Sequence, residues 1–180
     1  MKEEPLMLSG QSSNTKNGFT ILELVVVIVL TAMTTGLSVV GFGNLIASYN
    51  LTGATRELAR QCQLARTKAI MEKNNFGIYL DFQRESYTLF RDNDQSRTYS
   101  TGDLVIMRKT FPASVDLYQG CISQCAGSGY SNKQLTLIFY PDGRCNGTDE
   151  NVFIFISKKL RKTTYIYVNP QTGRVKISGV

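Results

Sequence analysis

One carboxylate stands alone in the long apolar segment near the start of this 180-residue chain. Glu23 is the only charged residue between Lys16 and Arg56. A carboxylate surrounded by hydrocarbon costs free energy, so such a residue is normally retained for a function. A cation brought to it would recover part of that cost, and only in one relative position. Glu23 is therefore the first candidate functional residue.

The other residue types that could do chemistry form no recognisable catalytic pattern. The chain has no histidine, which removes the commonest general base and the commonest metal ligand. Its serines lack the Gly-x-Ser-x-Gly elbow of a nucleophile. Asp92-Asn93-Asp94 begins like a calcium loop, but Arg97 and Asp103 stand where that loop needs glycine and glutamate. We therefore predict no enzyme, metal or cofactor; a membrane-tethered periplasmic enzyme is the remote alternative.

The four cysteines could stabilise a head domain. They permit three complete pairings, and the sequence alone does not choose among them. Cys121, Cys125 and Cys145 lie in glycine-rich or turn-rich sequence, which favours a bridge from Cys145 to Cys121 or Cys125. Cys62 lies on an apolar helical stripe and is either a small buried thiol or a bridge partner. A four-cysteine zinc site is disfavoured because paired Cys-x-x-Cys motifs are missing.

The apolar run that surrounds Glu23 sets the domain organisation. It extends from Phe19 to Phe42, and about 20 such residues in a helix suffice to cross a bilayer. An ordinary secretory signal has a shorter apolar stretch followed by a small-residue cleavage site, which is not found here. A plain signal anchor is the simpler alternative. We predict a leader over residues 1–18, a transmembrane helix over 19–43 and a head over 44–180.

The head should begin with the second half of the same helix. Apolar residues recur there every three or four positions, as on one face of a helix: Leu51, Ala54, Leu58, Cys62, Ala65 and Ala69. This pattern predicts one helix from Phe19 to about Lys73, ended by Asn74-Asn75.

The rest of the chain is predicted to be β-rich. Strands are expected over residues 76–82, 87–90, 104–111, 135–140, 152–156, 164–168 and 174–177, with a cysteine-bearing loop over 119–133. Pro141-Asp142-Gly143 is a turn signal after one of these strands. The fold class is α+β, with a long N-terminal helix packed on an antiparallel sheet.

The N-terminal residues resemble the type IV prepilin signal: Gly18, then Phe19 and Thr20, with Glu23 at the fifth position after the glycine. The resemblance implies that a prepilin peptidase cuts between Gly18 and Phe19 and that Phe19 is N-methylated. It further implies that Glu23 pairs with the N-terminal amine of a neighbouring subunit during assembly. The implied partners are other pilin or pseudopilin subunits, the inner membrane and its assembly platform. The implied location is a single inner-membrane span with a periplasmic head, which later enters a fibre.

Two C-terminal segments carry a second resemblance. Phe139-Tyr140-Pro141-Asp142-Gly143, followed by Thr172-Gly173-Arg174-Val175, is similar to the general secretion pathway H-type pseudopilins and the FimT-like minor pilins. The resemblance implies a minor pilin or pseudopilin subunit. The cysteine pattern and modest length would suit a minor pilin of the mannose-sensitive haemagglutinin kind. The sequence leaves open whether the fibre is a type IV pilus or a type II secretion pseudopilus, and which partner the head binds.

A second possible function follows from basic residues in the head of this chain, whose net charge is +6. Lys158, Lys159, Arg174 and Lys176 could bind DNA phosphates without sequence preference, and FimT-like minor pilins are associated with DNA uptake. Interleaved tyrosines could stack on bases. The simpler interpretation, which we prefer, is a solvated loop beside ordinary strand aromatics.

Overall fold

The computed structural model describes residues 18–122 and 133–179, without the side chains of residues 36–41. Most of the predicted leader, residues 1–17, and Cys125 in the predicted loop lie outside the described residues. The chain divides into two compact units, Met1–Val40 and Gly41–Val180.

One helix, α1, extends from Ile21 to Glu72 and confirms the predicted continuous helix. It ends where Lys73 adopts a positive φ of 53° and the Asn74 amide donates to the carbonyl oxygen of Glu72. In the apolar part, threonine hydroxyls bond back to carbonyls one turn earlier, such as Thr31 to Val27 at 2.9 Å. These bonds satisfy the hydroxyls within the helix itself.

The predicted membrane span, residues 19–43, is not confirmed. Of the helical residues that the structure describes, no stretch is both long and apolar enough to cross a membrane. The span includes residues 36–41, whose side chains are not described.

The second half of α1 buries one face in the head. The predicted stripe is buried at each of its positions: Leu51, Ala54, Leu58, Cys62, Ala65 and Ala69. The opposite face exposes residues such as Arg56 and Arg60. This division between an apolar face and a charged face is what fixes the helix against a sheet.

The head contains eight strands in two antiparallel sheets. The strands are β1 (Phe76–Asp81), β2 (Ser86–Arg91), β3 (Leu104–Thr110), β4 (Val115–Cys121), β5 (Gln134–Phe139), β6 (Asn151–Ser157), β7 (Thr163–Val168) and β8 (Val175–Ser178). The first sheet has the order β3-β2-β1-β5, and the second has the order β4-β6-β7-β8. The α+β class is confirmed, but the strands form two sheets where the sequence suggested one.

The two sheets and the helix share one core. Inward side chains of the first sheet, such as Ile78 and Leu137, belong to the same buried cluster as Leu58 of the helix and Phe153 and Ile166 of the second sheet. The predicted loop over residues 119–133 was wrong at its start, because β4 extends to Cys121. The register of β4 on β6 shifts between Leu117 and Gln119, where a bulge interrupts the strand.

Candidate functional site

Thr20 caps the start of α1 at the predicted processing and assembly segment. Its hydroxyl oxygen accepts a hydrogen bond of 3.2 Å from the backbone N–H of Glu23. Its carbonyl oxygen accepts a bond of 3.1 Å from the N–H of Leu24. A threonine three residues before a glutamate is the sequence pattern of a capping box, which starts a helix. The helix therefore begins two residues after Phe19 for a local reason.

Gly18, Phe19 and Glu23 are all exposed at this end of the helix. A Cβ atom at Gly18 would meet no atom within 4 Å, and the Phe19 side chain is 80% exposed. Glu23 lies in the first turn, where a negative charge complements the helix dipole. Among the described residues, none donates a hydrogen bond to its carboxylate. The geometry leaves the Gly18–Phe19 bond accessible and the Glu23 carboxylate available.

The C-terminal motifs meet on one helix residue that the sequence did not single out as functional. Arg66 donates from Nε to the carbonyl oxygen of Gly143 at 3.0 Å. Gly143 and Gly173 both have positive φ, 83° and 60°. A Cβ atom at Gly173 would lie 2.7 Å from Cδ of Arg66 and would also fall on the carbonyl oxygen of Gly143. Close packing against Arg66 and the Gly143 carbonyl therefore requires glycine at position 173, and the positive φ favours glycine at both positions.

The cysteines do not pair as expected. Cys145 is a free, buried thiol, so the predicted bridge from Cys145 to Cys121 or Cys125 is wrong in this structure. Cys121 is disulfide-bonded, and its partner lies outside the described residues. The buried Cys145 thiol instead accepts a hydrogen bond of 3.5 Å from the side-chain amide of Asn151. Cys62 is also free and buried, which agrees with one of its two predicted roles.

The predicted DNA-contacting residues are exposed but do not form one cluster of free cations. Lys158 forms an ion pair with Glu85. Lys159 Nζ packs against Gly43 of the helix. Lys158 and Lys159 precede β7, whereas Arg174 follows it, so the two groups flank opposite ends of that strand. Arg174 and Lys176 are exposed, and Lys176 pairs in register with Tyr167.

An acidic loop between β2 and β3 is better organised than its sequence suggested. Carboxylate oxygens of Asp92, Asp94 and Asp103 lie within 4.8 Å of one another. Asp92 accepts from the N–H groups of Ser96 and Arg97, and Asp103 accepts from the N–H of Ser100 at 2.7 Å. Burial raises the pKa of Asp92, whereas the serine hydroxyls lower the pKa of Asp94 to about 2. The three carboxylates therefore hold the loop in shape by accepting hydrogen bonds from its own backbone and serine groups.

Comparison with known families gives one match over most of the head. Residues 54–176 match the family model of the type II transport protein GspH. The matched range contains Arg66, Gly143 and Gly173, the three residues that meet in the junction described above. No curated protein is significantly similar to the chain in sequence.

Several solved structures share the fold. The minor pseudopilin EpsH from the type 2 secretion system of Vibrio cholerae matches with a TM-score of 0.53 and 12% identity, covering 72% of this chain and 97% of EpsH. A second crystal structure of EpsH gives the same score and identity, with 71% and 92% covered. The type IV minor pilin FimU of Pseudomonas aeruginosa PAO1 matches with a TM-score of 0.50 and 15% identity, covering 73% of this chain and 90% of FimU.

Proposed function

From the premise that this chain belongs to the GspH family of type II transport proteins, as a minor pseudopilin or minor pilin subunit, we propose that it is processed and assembled through its N-terminal segment. A prepilin peptidase cuts between Gly18 and Phe19 and methylates the new amine. The apolar helix then holds the subunit in the inner membrane, with the head in the periplasm, until it enters a type IV pilus or a type II secretion pseudopilus. Its role is structural and not catalytic.

The observation that carries this proposal is the lone Glu23 carboxylate in the first turn of an exposed apolar helix. Placing an unpaired carboxylate in hydrocarbon costs roughly 2.5 to 3.5 kcal/mol at the centre of a membrane and less toward its surface. A neighbouring subunit's N-terminal amine recovers part of that cost when the two helices have the correct stagger. The acid therefore sets the register in which subunits enter the fibre.

The test is a single substitution, Glu23→Ala, in the full chain, with fibres sheared from cells and separated from membranes. The variant is expected to be cut normally but to be depleted from the fibre fraction at least fivefold. Glu23→Asp, which keeps the charge, should retain most of the incorporation. Equal incorporation of the Ala variant and the original chain would reject the pairing of Glu23.

A second candidate function is supported by one surface of the head. Tyr165 and Tyr167 stack on the outward side of β7, with ring centroids 6.1 Å apart, and Lys176 lies opposite Tyr167 on β8. Aromatic rings beside a cation suit stacking on the bases of a nucleic acid strand. Retardation of DNA by the mature chain in detergent, weakened by Arg174→Ala with Lys176→Ala, would support DNA uptake. No retardation at low salt would remove this candidate.

A further inference from the structure

The turn between β6 and β7, residues 158–162, carries a dense group of cations, and we call it the basic turn. Its charged side chains are all exposed: Lys158, Lys159, Arg161 and Lys162. Two backbone hydrogen bonds of Ser157 close the turn. Its N–H donates to the carbonyl oxygen of Lys162 at 2.9 Å, and its carbonyl oxygen accepts from the N–H of Arg161 at 2.8 Å. This closure holds the cations together at one end of the second sheet.

Most of the positive charge of the basic turn is not neutralised by the protein. Lys158 forms an ion pair with Glu85. Within the part of the chain that the structure describes, the other three cations form no ion pair. Asp116 lines the same groove as Arg161 but does not pair with it. The turn therefore presents an excess of positive charge to its surroundings.

The basic turn is attached to α1 near the start of the head. The Lys158 N–H donates to the carbonyl oxygen of Ser114 at 3.0 Å, and the Ser114 hydroxyl oxygen accepts from the Asn50 side-chain amide at 2.9 Å. Lys159 contacts the helix nearer to its N-terminal end, where a Cβ atom at Gly43 would lie 2.5 Å from the Lys159 Nζ atom. The absence of a side chain at Gly43 thus leaves room for this ammonium group against the helix.

The position of this contact along the helix relates the basic turn to the membrane. Gly43 is the last residue of the predicted span, residues 19–43, so it marks the border between hydrocarbon and lipid headgroups. A helix rises about 1.5 Å per residue, so Asn50 lies about 10 Å beyond Gly43. The headgroup layer adds about 5 to 8 Å on each side of the hydrocarbon core. The Lys159 ammonium group, which lies against Gly43, is therefore at the depth of the lipid phosphates.

The helix has the residue types of a membrane interface at the same depth. Several large apolar or aromatic side chains are exposed there: Phe42, Leu45, Ile46 and Tyr49. Tyr49 is 77% exposed, and tyrosine is enriched where a protein crosses from hydrocarbon to water. The next exposed positions of the helix are Gly53, Arg56 and Arg60. This change from apolar to charged residues agrees with a headgroup layer around residues 43–50.

We propose that the basic turn binds the phosphate groups of anionic phospholipids in the periplasmic leaflet of the inner membrane, and so holds the head against the membrane before assembly. This inference rests on the proposed function. Clusters of lysine and arginine beside a membrane span are attracted to anionic lipids, and neutral lipids do not supply this attraction. The long side chains can keep their charged ends among the phosphates while their stems lie against the apolar part of the helix.

The first experiment uses a single tryptophan as a reporter, because the chain has none of its own. Leu160→Trp places it in the basic turn of the full mature chain, reconstituted in vesicles of phosphatidylcholine with or without phosphatidylglycerol. Both vesicles contain a lipid whose headgroup carries a spin label that quenches tryptophan fluorescence. Quenching is expected to be at least threefold stronger with phosphatidylglycerol, and to lose that gain at high salt. Equal quenching in the two kinds of vesicle would overturn the inference.

The matched control reporter is at the opposite end of β7. Gln171→Trp lies in the exposed turn after this strand, which has six residues. Six residues of a strand extend about 20 Å. Quenching of this reporter should be weak and independent of phosphatidylglycerol. If phosphatidylglycerol strengthens the quenching of both reporters equally, the head adsorbs without a specific site and the assignment to the basic turn is wrong.

The second experiment removes charge from the basic turn. Lys159→Gln with Arg161→Gln should reduce the gain from phosphatidylglycerol at Leu160→Trp by at least half, while Lys158 keeps its ion pair. Arg174→Gln with Lys176→Gln removes one arginine and one lysine elsewhere on the head, and should leave the gain unchanged. All four side chains are exposed, so the thermal unfolding midpoints should remain within a few degrees of the original. Equal effects of the two double substitutions would contradict the proposed site.

Crosslinking in cells distinguishes lipid from an acidic protein partner. A photoreactive benzoylphenylalanine replaces Leu160 in the full chain, and the cells are grown with radioactive phosphate. Irradiation is expected to give a labelled adduct with the mass of one chain and one phospholipid. The same group at Gln171 should give no such adduct. An adduct at position 160 only with another protein, or no adduct, would overturn the binding of lipid.

Flotation of the vesicles separates a failure of this inference from a failure of the proposed function. If the mature chain floats with both kinds of vesicle but the Leu160→Trp reporter does not respond to phosphatidylglycerol, the lipid site is wrong and the proposed anchorage stands. If the chain floats with neither kind, the proposed anchorage fails and the lipid site fails with it.

Discussion

Arg66 of the helix and Gly143 of the turn after β5 are joined by a hydrogen bond of 3.0 Å from Nε to the carbonyl oxygen. The bond connects positions that are 77 residues apart in the chain. Gly173, from the loop between β7 and β8, packs against the same side chain. One half-buried arginine thus contacts both C-terminal motifs. This packing explains the glycine at position 173, whereas the positive φ of 83° explains the glycine at position 143.

We expect Arg66→Met to destabilise the head by about 1 to 3 kcal/mol, because it retains most of the apolar stem and leaves the Gly143 carbonyl without its partner. Denaturant unfolding of the full mature chain in detergent would measure the loss. Arg60→Met is the control: that side chain is 73% exposed, and its ion pair with Glu57 is 3.8 Å long. Its effect should remain within about 0.5 kcal/mol. Equal effects of the two substitutions would contradict the role of Arg66.

Two glycine-to-alanine substitutions should have opposite effects on stability. Gly173→Ala forces alanine into a left-handed conformation, which costs about 1 to 2 kcal/mol, and adds a clash with the Arg66 side chain. Gly53→Ala lies in the helix with open space around its Cβ and should stabilise by up to about 1 kcal/mol. The same unfolding measurement distinguishes them. A stable Gly173→Ala protein would show that the junction around Arg66 is looser than the structure indicates.

The two buried thiols predict a loss of stability at alkaline pH. Burial raises the pKa of Cys145 to about 12; burial and then the neighbouring Cys145 raise the pKa of Cys62 further. Unfolded thiols ionise near pH 8.5. Above that pH the unfolded state binds fewer protons than the folded state, so the free energy of unfolding falls as pH rises toward 12.

Unfolding midpoints between pH 7 and 10.5 would measure this loss, and Cys62→Ala with Cys145→Ala should have a smaller pH slope. Iodoacetamide should label Cys62 and Cys145 only at the rate of unfolding. Rapid labelling of the folded chain, or a mass two hydrogens lower that maps to a Cys62–Cys145 bridge, would contradict the free buried thiols described here.

Much of the head could be predicted because its signals are local. The helix ends within one residue of the expected Lys73, since the apolar stripe stops there and asparagines follow. Pro141-Asp142-Gly143 predicted its turn, because glycine tolerates the positive φ that the turn needs. Outside the head, the capping role of Thr20 was not predicted, although its signal is equally local, because Glu23 follows three residues later.

The structural features that the sequence analysis did not predict have two causes. Some depend on contacts between residues that are distant in the sequence, and one depends on an interrupted alternation of buried and exposed residues. The bulge in β4 shifts the alternation, so that Gly120 and Cys121 are both buried and the strand resembles a loop. The division into two sheets depends on which strands pair with each other. The residues within one strand do not specify its partner strand, so the sequence analysis could not predict this division. The contacts of Arg66 with Gly143 and Gly173 could not be predicted, because the arginine lies on the helix and the glycines lie in two separate turns.

The proposed cleavage site between Gly18 and Phe19 gives the last prediction. Gly18→Val should prevent removal of the leader, because the branched side chain adds a Cβ where glycine allows the extended backbone to approach a protease closely. In the structure a Cβ at this position meets no atom within 4 Å, so the substitution should leave the fold of the head unchanged. A gel of whole-cell samples would show the variant only at precursor size, whereas Gly10→Val, the matched control within the leader, should be cut normally. N-terminal sequencing of the processed chain should begin at Phe19; a different first residue, or a size shift that persists in the Gly18→Val variant, would place the cut elsewhere.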